Sequence, residues 1–242
     1  MNFLLRRSSV SPKDFSQMDT TTEASVEAAA RRRIPIAVKL LYTAFAAVLV
    51  PYYWTTYTPW NFLFFCDIAL LLTCIGLWLE NPLLVGAQAV GILLPQTLWV
   101  VDFGARLLTG HHVNAMTAYM FDDRIPLFVR ALSSFHGWLP FLLLWLLARL
   151  GYDRRAFGAE AALIVIVLVV CYAFGPAPPA PPSNPQAAVN VNYVYGFSDE
   201  HPQTWLPEKL WLAAMIAGTI VSAGATHAAL RKIFPEPGGG GL

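Results

Sequence analysis

Charge is scarce in this chain. Only 13% of the 242 residues are Asp, Glu, Lys or Arg, while 56% are hydrophobic, roughly half the charge fraction of an ordinary soluble domain. The formal net charge is +1, which leaves no bulk electrostatic footprint for nucleic acid. Cysteine is sparse too. Cys66, Cys74 and Cys171 all lie inside apolar segments, which argues against a disulfide framework and against a zinc cluster. The first 33 residues are polar and carry both signs of charge without a sustained apolar run, so no cleavable signal peptide is expected. Segments of alternating polarity are missing as well, which disfavours a β-barrel.

What the chain does have is long apolar blocks. A hydrocarbon core of about 30 Å is crossed by about 20 helical residues. The blocks predict six spans, near 34–53, 60–79, 83–102, 126–148, 158–175 and 208–230. All should be helices, because a lipid-facing backbone must satisfy its own hydrogen bonds. The expected fold is all-α: a polytopic transmembrane helical bundle of about six spans with both termini cytoplasmic. Residues 1–33 read as a disordered cytoplasmic tail, 34–234 as the membrane domain and 235–242 as a flexible end.

Basic residues set the orientation. With the N-terminus inside, twelve fall on the cytoplasmic side (Arg6, Arg7, Lys13, Arg31, Arg32, Arg33, Lys39, Arg149, Arg154, Arg155, Arg231 and Lys232). Four fall outside, namely Arg106, Arg124, Arg130 and Lys209. Tyr52, Tyr53, Trp54, Tyr57, Trp60, Trp99, Trp205 and Trp211 then gather near the outer interface as an aromatic belt. The outer loops, 103–125 and 176–207, are the long ones, which pushes the working face outward. The first carries His111, His112, Asp122, Asp123 and Arg124. Adjacent histidines point apart, so that pair reads as a loop feature more readily than as a metal site. The second opens with a Pro-rich stretch, Pro176 to Pro185, expected to act as a stiff extended spacer. Ala214, Gly218 and Ser222 form a small-residue stripe on the last span, suited to close helix packing.

An ionisable group within a span costs about 2.5–3.5 kcal/mol on insertion scales, so its presence calls for a reason. Asp67, beside Cys66, is the one acidic residue read as lying well inside a span. Cys66 lies about 9 Å below the outer end of span two, Gln96 about 9 Å below that of span three, and His136 about 15 Å below that of span four. Pro140, four residues beyond His136, should kink the fourth span and free the His136 carbonyl. Pro95 likewise frees the carbonyl of Gly91. Three spans thus bring Cys66, Asp67, Gln96 and His136 to the outer half of the bilayer, with Arg130 above them, placed to pair with Asp67 or Asp102.

A cysteine beside a base is the pattern of an activated nucleophile. His136 would take the thiol proton, and Asp67 or Gln96 would orient the imidazole or bind a developing oxyanion. At the depth of lipid esters this suits acyl transfer. The candidate catalytic residues are Cys66, His136 and Asp67. The candidate substrate-binding residues are Gln96, Ser133, Arg130, Asn192 and Tyr193. No motif calls for a cofactor or a metal, and the expected partners are membrane lipids of the cell membrane. Two other readings remain open: a proton-coupled transporter or channel component, with Asp67 and His136 as a relay, and a non-catalytic membrane scaffold.

Phe65-Cys66-Asp67 in an early span, followed by Ser134-Phe135-His136-Gly137 in a later one, resembles the YwaF-like integral membrane proteins, bacterial relatives of a eukaryotic transmembrane ether-phospholipid acyltransferase. Asn192-Tyr193-Val194-Tyr195 is similar to an Asn-Tyr motif near the end of that family. The likeness covers about residues 60–230. It implies an acyltransferase whose Cys66 and His136 carry the chemistry.

Overall fold

The structure, a computed structural model, describes residues 34–238. Residues 1–33 and the last four glycine-rich positions, expected as tails, lie outside the described residues. The chain is all-helical and builds a multi-pass membrane bundle. Its helices are α1 (Ile36–Thr56), α2 (Phe65–Leu79), α3 (Pro82–Thr109), α4 (Leu127–Ser133), α5 (Phe135–Leu150), α6 (Ala156–Phe174) and α7 (Glu208–Ile233). Short 3-10 turns lie at Pro59–Leu63, Ala118–Phe121 and Val191–Tyr193. Among the described residues, with α4 and α5 counted as one broken segment, five apolar helices are long enough to cross a bilayer, and α2 is a shorter sixth.

The second span is therefore corrected. Its first residues do not extend the helix: Pro59–Leu63 forms a 3-10 turn, Phe64 is extended, and α2 has 15 residues, about 22 Å at 1.5 Å per residue. The third span is corrected the other way. Asn81 caps α3 by accepting from the Leu84 N–H at 3.0 Å, and Pro82 occupies its first turn, the favoured start for a helix. The helix runs without a break past Pro95 and stops at Gly110, whose φ of +77° supplies a left-handed C-cap. Asp102, expected at the end of the span, therefore sits inside the helix.

Helix α3 is the hub. It packs against α2, α5, α6 and α7, and 56% of its most apolar stretch is buried, against 11% for α7 at the periphery. Gly86 lets α3 approach the start of α6, because a Cβ there would meet that of Ala156 at 3.0 Å.

The helix ends sort onto two faces. On one, Glu80 accepts from the Ile34 N–H and from Lys39 Nζ at 2.7 Å. There too Tyr152 N–H donates to the Pro235 carbonyl and Arg154 meets Glu236 at 2.6 Å, so Pro235 and Glu236, read from sequence as part of the tail, bind the α5–α6 turn. Both described ends of the chain thus lie on this face, as an even number of crossings requires. On the opposite face the 176–207 loop folds over the bundle. The Pro-rich stretch is not an extended spacer. It turns at Pro181–Asn184 and Asn184–Ala187, and Ala188 N–H then donates to the Tyr57 carbonyl at 2.7 Å. Ala188 to Asn192 is buried as a result, which burial of a stiff solvated spacer would not give.

Candidate functional site

Helix breaks position the candidate groups. The fourth span does not wait for Pro140 to be interrupted; α4 ends at Ser133 and α5 begins at Phe135. The Gly137 N–H turns to the Ser134 carbonyl at 2.9 Å instead of to that of Ser133. The freed Ser133 carbonyl is taken by His136 Nδ1 at 2.8 Å. A carbonyl only accepts, so Nδ1 carries the hydrogen and Nε2 keeps an open lone pair. Trp99 stacks on the imidazole, with ring centroids 5.7 Å apart and planes 22° apart. Pro140 lies inside α5, which runs unbroken from Phe135 to Leu150, so the interruption of the span is not at the proline where the kink was expected.

Cys66 lies in the first turn of α2. The Asn192 amide clips that end of the helix, with Nδ2 donating to the Leu63 carbonyl at 2.7 Å and Oδ1 accepting from the Phe65 N–H at 3.1 Å. Asn190, Asn192 and Tyr193 all have positive φ, a conformation that asparagine tolerates better than most residues. The thiol donates to Asp67 Oδ2 at 3.5 Å, and Asn61 Nδ2 donates to the same oxygen at 3.3 Å. The other carboxylate oxygen of Asp67 is buried without a partner.

These elements enclose a cavity of about 550 Å³. Phe64, Phe65 and Cys66 form one side. Gly91, Ile92, Pro95, Gln96 and Trp99 of α3 form the back, and His136 projects from α5. Met116, Tyr119, Asn192, Tyr193 and Phe197 line it from the loops, and the last wall is Ala214, Met215, Gly218, Thr219 and Ser222 of α7. Gln96 is 3% exposed, and neither its amide oxygen nor its nitrogen has a partner. Tyr119 receives the Trp99 indole N–H at 3.2 Å. Burial dominates at that phenol and pushes its pKa up to about 12.

Five of the eight candidates from sequence, Cys66, His136, Gln96, Asn192 and Tyr193, line this one cavity. Asp67 stands behind Cys66. Ser133 is turned to Tyr53, hydroxyl to hydroxyl at 3.4 Å, and serves His136 through its carbonyl. Arg130 pairs with neither Asp67 nor Asp102. It reaches the Met120 carbonyl at 3.2 Å and Asp123 at 3.8 Å. Asp102 is already saturated: it accepts from the N–H groups of Val113, Asn114, Ala115 and Thr117 and from the Thr117 hydroxyl, and it pairs with His112 at 3.0 Å. It organises the loop between α3 and α4 that carries Met116 and Tyr119.

Sequence reasoning missed Tyr119, Met116 and Phe197, which lie in loops with no periodic signal. It placed Trp99 in the interfacial belt, whereas the ring is 5% exposed against His136. Asp67 is also not the single acid at membrane depth. Glu160, one turn into α6, is 2% exposed, with its carboxyl lodged where a Gly91 side chain would stand and one oxygen unpartnered. Its place near the end of the apolar block disguised it. The small-residue stripe of α7 does not pack a neighbouring helix at Gly218, where an added Cβ would meet nothing within 4 Å. Among the described residues, no three His, Cys, Asp or Glu side chains are grouped to hold a metal ion. No family model, curated protein or solved structure matches this chain.

Proposed function

We propose that this protein is a lipid acyltransferase of the cell membrane, working at the outer half of the bilayer with Cys66 as nucleophile and His136 as base. The observation that carries this reading is the shared cavity: a thiol, an imidazole with an open lone pair and an unpartnered amide converge from α2, α5 and α3 on one mostly apolar space.

The chemistry runs as a balanced exchange. The thiol turns from Asp67 into the cavity and gives its proton to His136 Nε2. Sulfur attacks the carbonyl carbon of a glycerolipid ester, and the Gln96 amide donates to the developing oxyanion. The ester C–O bond breaks, the imidazolium returns its proton to the departing alkoxide, and a lysolipid and a Cys66 thioester remain. An acceptor hydroxyl then attacks the thioester. His136 takes its proton and passes it to the departing thiolate.

A hydrophobic, thiol-reactive lipid probe should label Cys66 in the folded protein. His136→Ala should slow that labelling by about 10²-fold or more, the usual contribution of a positioned base. Equal labelling rates in the two proteins would remove the activated thiol from the proposal.

Glu160, buried beneath the Gly91 side of the cavity, favours a second reading, proton-coupled transport with acids at two depths. Cys66→Ala separates the two, since it leaves transport intact and ends acyl transfer.

The orientation belongs to the same reading, with both termini and the α5–α6 turn in the cytoplasm. A cysteine introduced at Leu108, which is 88% exposed, should react with an impermeant maleimide in intact cells. One at Arg155 should react only after lysis. The opposite pattern would invert the protein and put the site in the inner leaflet.

A further inference from the structure

We infer that the wall of α7 is the binding surface for a single acyl chain of a glycerolipid, and that Gly218 sets how long that chain is. The inference rests on the acyl-transfer reading and adds to it a substrate class and a specificity-determining residue.

The lining changes character along the cavity. Near its outer end stand the polar groups, with Gln96 3% exposed and both its amide atoms unpartnered. A buried amide in that condition calls for a ligand that can hydrogen-bond it. From Trp99 to Gly91 along α3, and from Ala214 to Ser222 along α7, the cavity continues for eight residues, about 12 Å at helical rise. No charged side chain lines it, and on α7 the wall is Ala214, Met215, Gly218, Thr219 and Ser222. A polar head followed by a slender apolar tail is the complement of this order.

The cavity also opens sideways. Pro95, Ala214 and Gly218 line it and are exposed, so at their level the cavity is open to the outside of the bundle and not sealed within it. At membrane depth that outside is lipid, so an acyl chain reaches the cavity between α3 and α7 without leaving the bilayer. Gly218 lies well down that wall, and nothing within 4 Å opposes a side chain added there. A larger residue therefore fills the path of the chain without displacing the protein's own atoms. It also suits the helix better than glycine does.

The test uses the full-length protein in liposomes and a phospholipid with a diazirine near the end of a long acyl chain. Illumination should label the segment 214–222 in the wild type and equally in Cys66→Ala, because the chain site does not depend on the thiol. Gly218→Leu should cut that labelling about tenfold while its elution volume stays that of the wild type. In turnover, Gly218→Leu should lose long-chain donors and keep short-chain ones. Labelling confined to other segments, or undiminished in Gly218→Leu, overturns the inference. So does spontaneous, complete disulfide cross-linking of a Gly218→Cys protein in membranes, which would show a second copy seated on the stripe. Labelling of 214–222 in a protein without transferase activity would uphold the lipid site and sink the enzyme reading alone.

Discussion

Replacing Cys66 by alanine is expected to abolish acyl transfer, by at least about 10³-fold, as loss of a nucleophile does when the remaining groups have nothing to activate. The fold should survive. Cys66 is half-buried, and its sulfur makes one long hydrogen bond to Asp67 at 3.5 Å, so the change removes a weak donor and a small apolar group worth about 1 kcal/mol. The measurement is mass spectrometry of lipids after incubation of purified protein with a phospholipid whose acyl chain is isotopically marked. His136→Ala should fall in the same assay by about 10²–10⁴-fold. In the proposed mechanism thiol and imidazole work as a unit, so the double variant should be no worse than Cys66→Ala. Transfer at the wild-type rate in Cys66→Ala would take the sulfur out of the reaction.

The same pair shows how far the sequence could be read. Helix type and number follow from apolar length, since the backbone has no other way through hydrocarbon. Depth counted at helical rise from the expected span ends puts Cys66 and Gln96 at about 9 Å and His136 at about 15 Å. The observed ends change that count, since Cys66 lies in the first turn of α2 and α3 runs on past Gln96 to Thr109. Direction around each helix does not follow from it. That depends on where helices break, and the breaks here are set by tertiary contacts. The start of α2 is fixed by Asn192, 127 residues away from its Phe65 partner. The break at Ser134 is stabilised by a histidine ring returning to a backbone carbonyl. Neither pairing leaves a local pattern. Arg130 was misassigned for a related reason. Asp102 is occupied by four backbone N–H groups of residues 113–117 and by the Thr117 hydroxyl, and a saturated carboxylate offers little to an added cation. Glu160 was legible in principle, as an acid one turn inside an apolar helix and within the expected span 158–175.

Asn192 yields the largest expected effect on stability, and its substitutions distinguish a structural clip from a ligand for substrate. Its amide holds the Leu63 carbonyl at 2.7 Å and the Phe65 N–H at 3.1 Å across a residue that is 7% exposed. Asn192→Ala leaves both backbone groups unpaired, at roughly 1–3 kcal/mol each. It also forces alanine to a φ of +56°, costing about 1 kcal/mol more. The sum is about 3–7 kcal/mol. Asn192→Gly removes the same hydrogen bonds but adopts that φ freely, so it should recover about 1 kcal/mol relative to alanine. Denaturation of the purified protein in detergent gives both differences. The functional consequence is specific. Phe65 and Cys66 begin the helix that the amide pins, so thiol labelling by the lipid probe should fall in Asn192→Gly even at temperatures where the bundle is intact. A variant that is fully stable and reacts normally at Cys66, but binds lipid less well, would show instead that the amide faces substrate and that the start of α2 is held by other contacts.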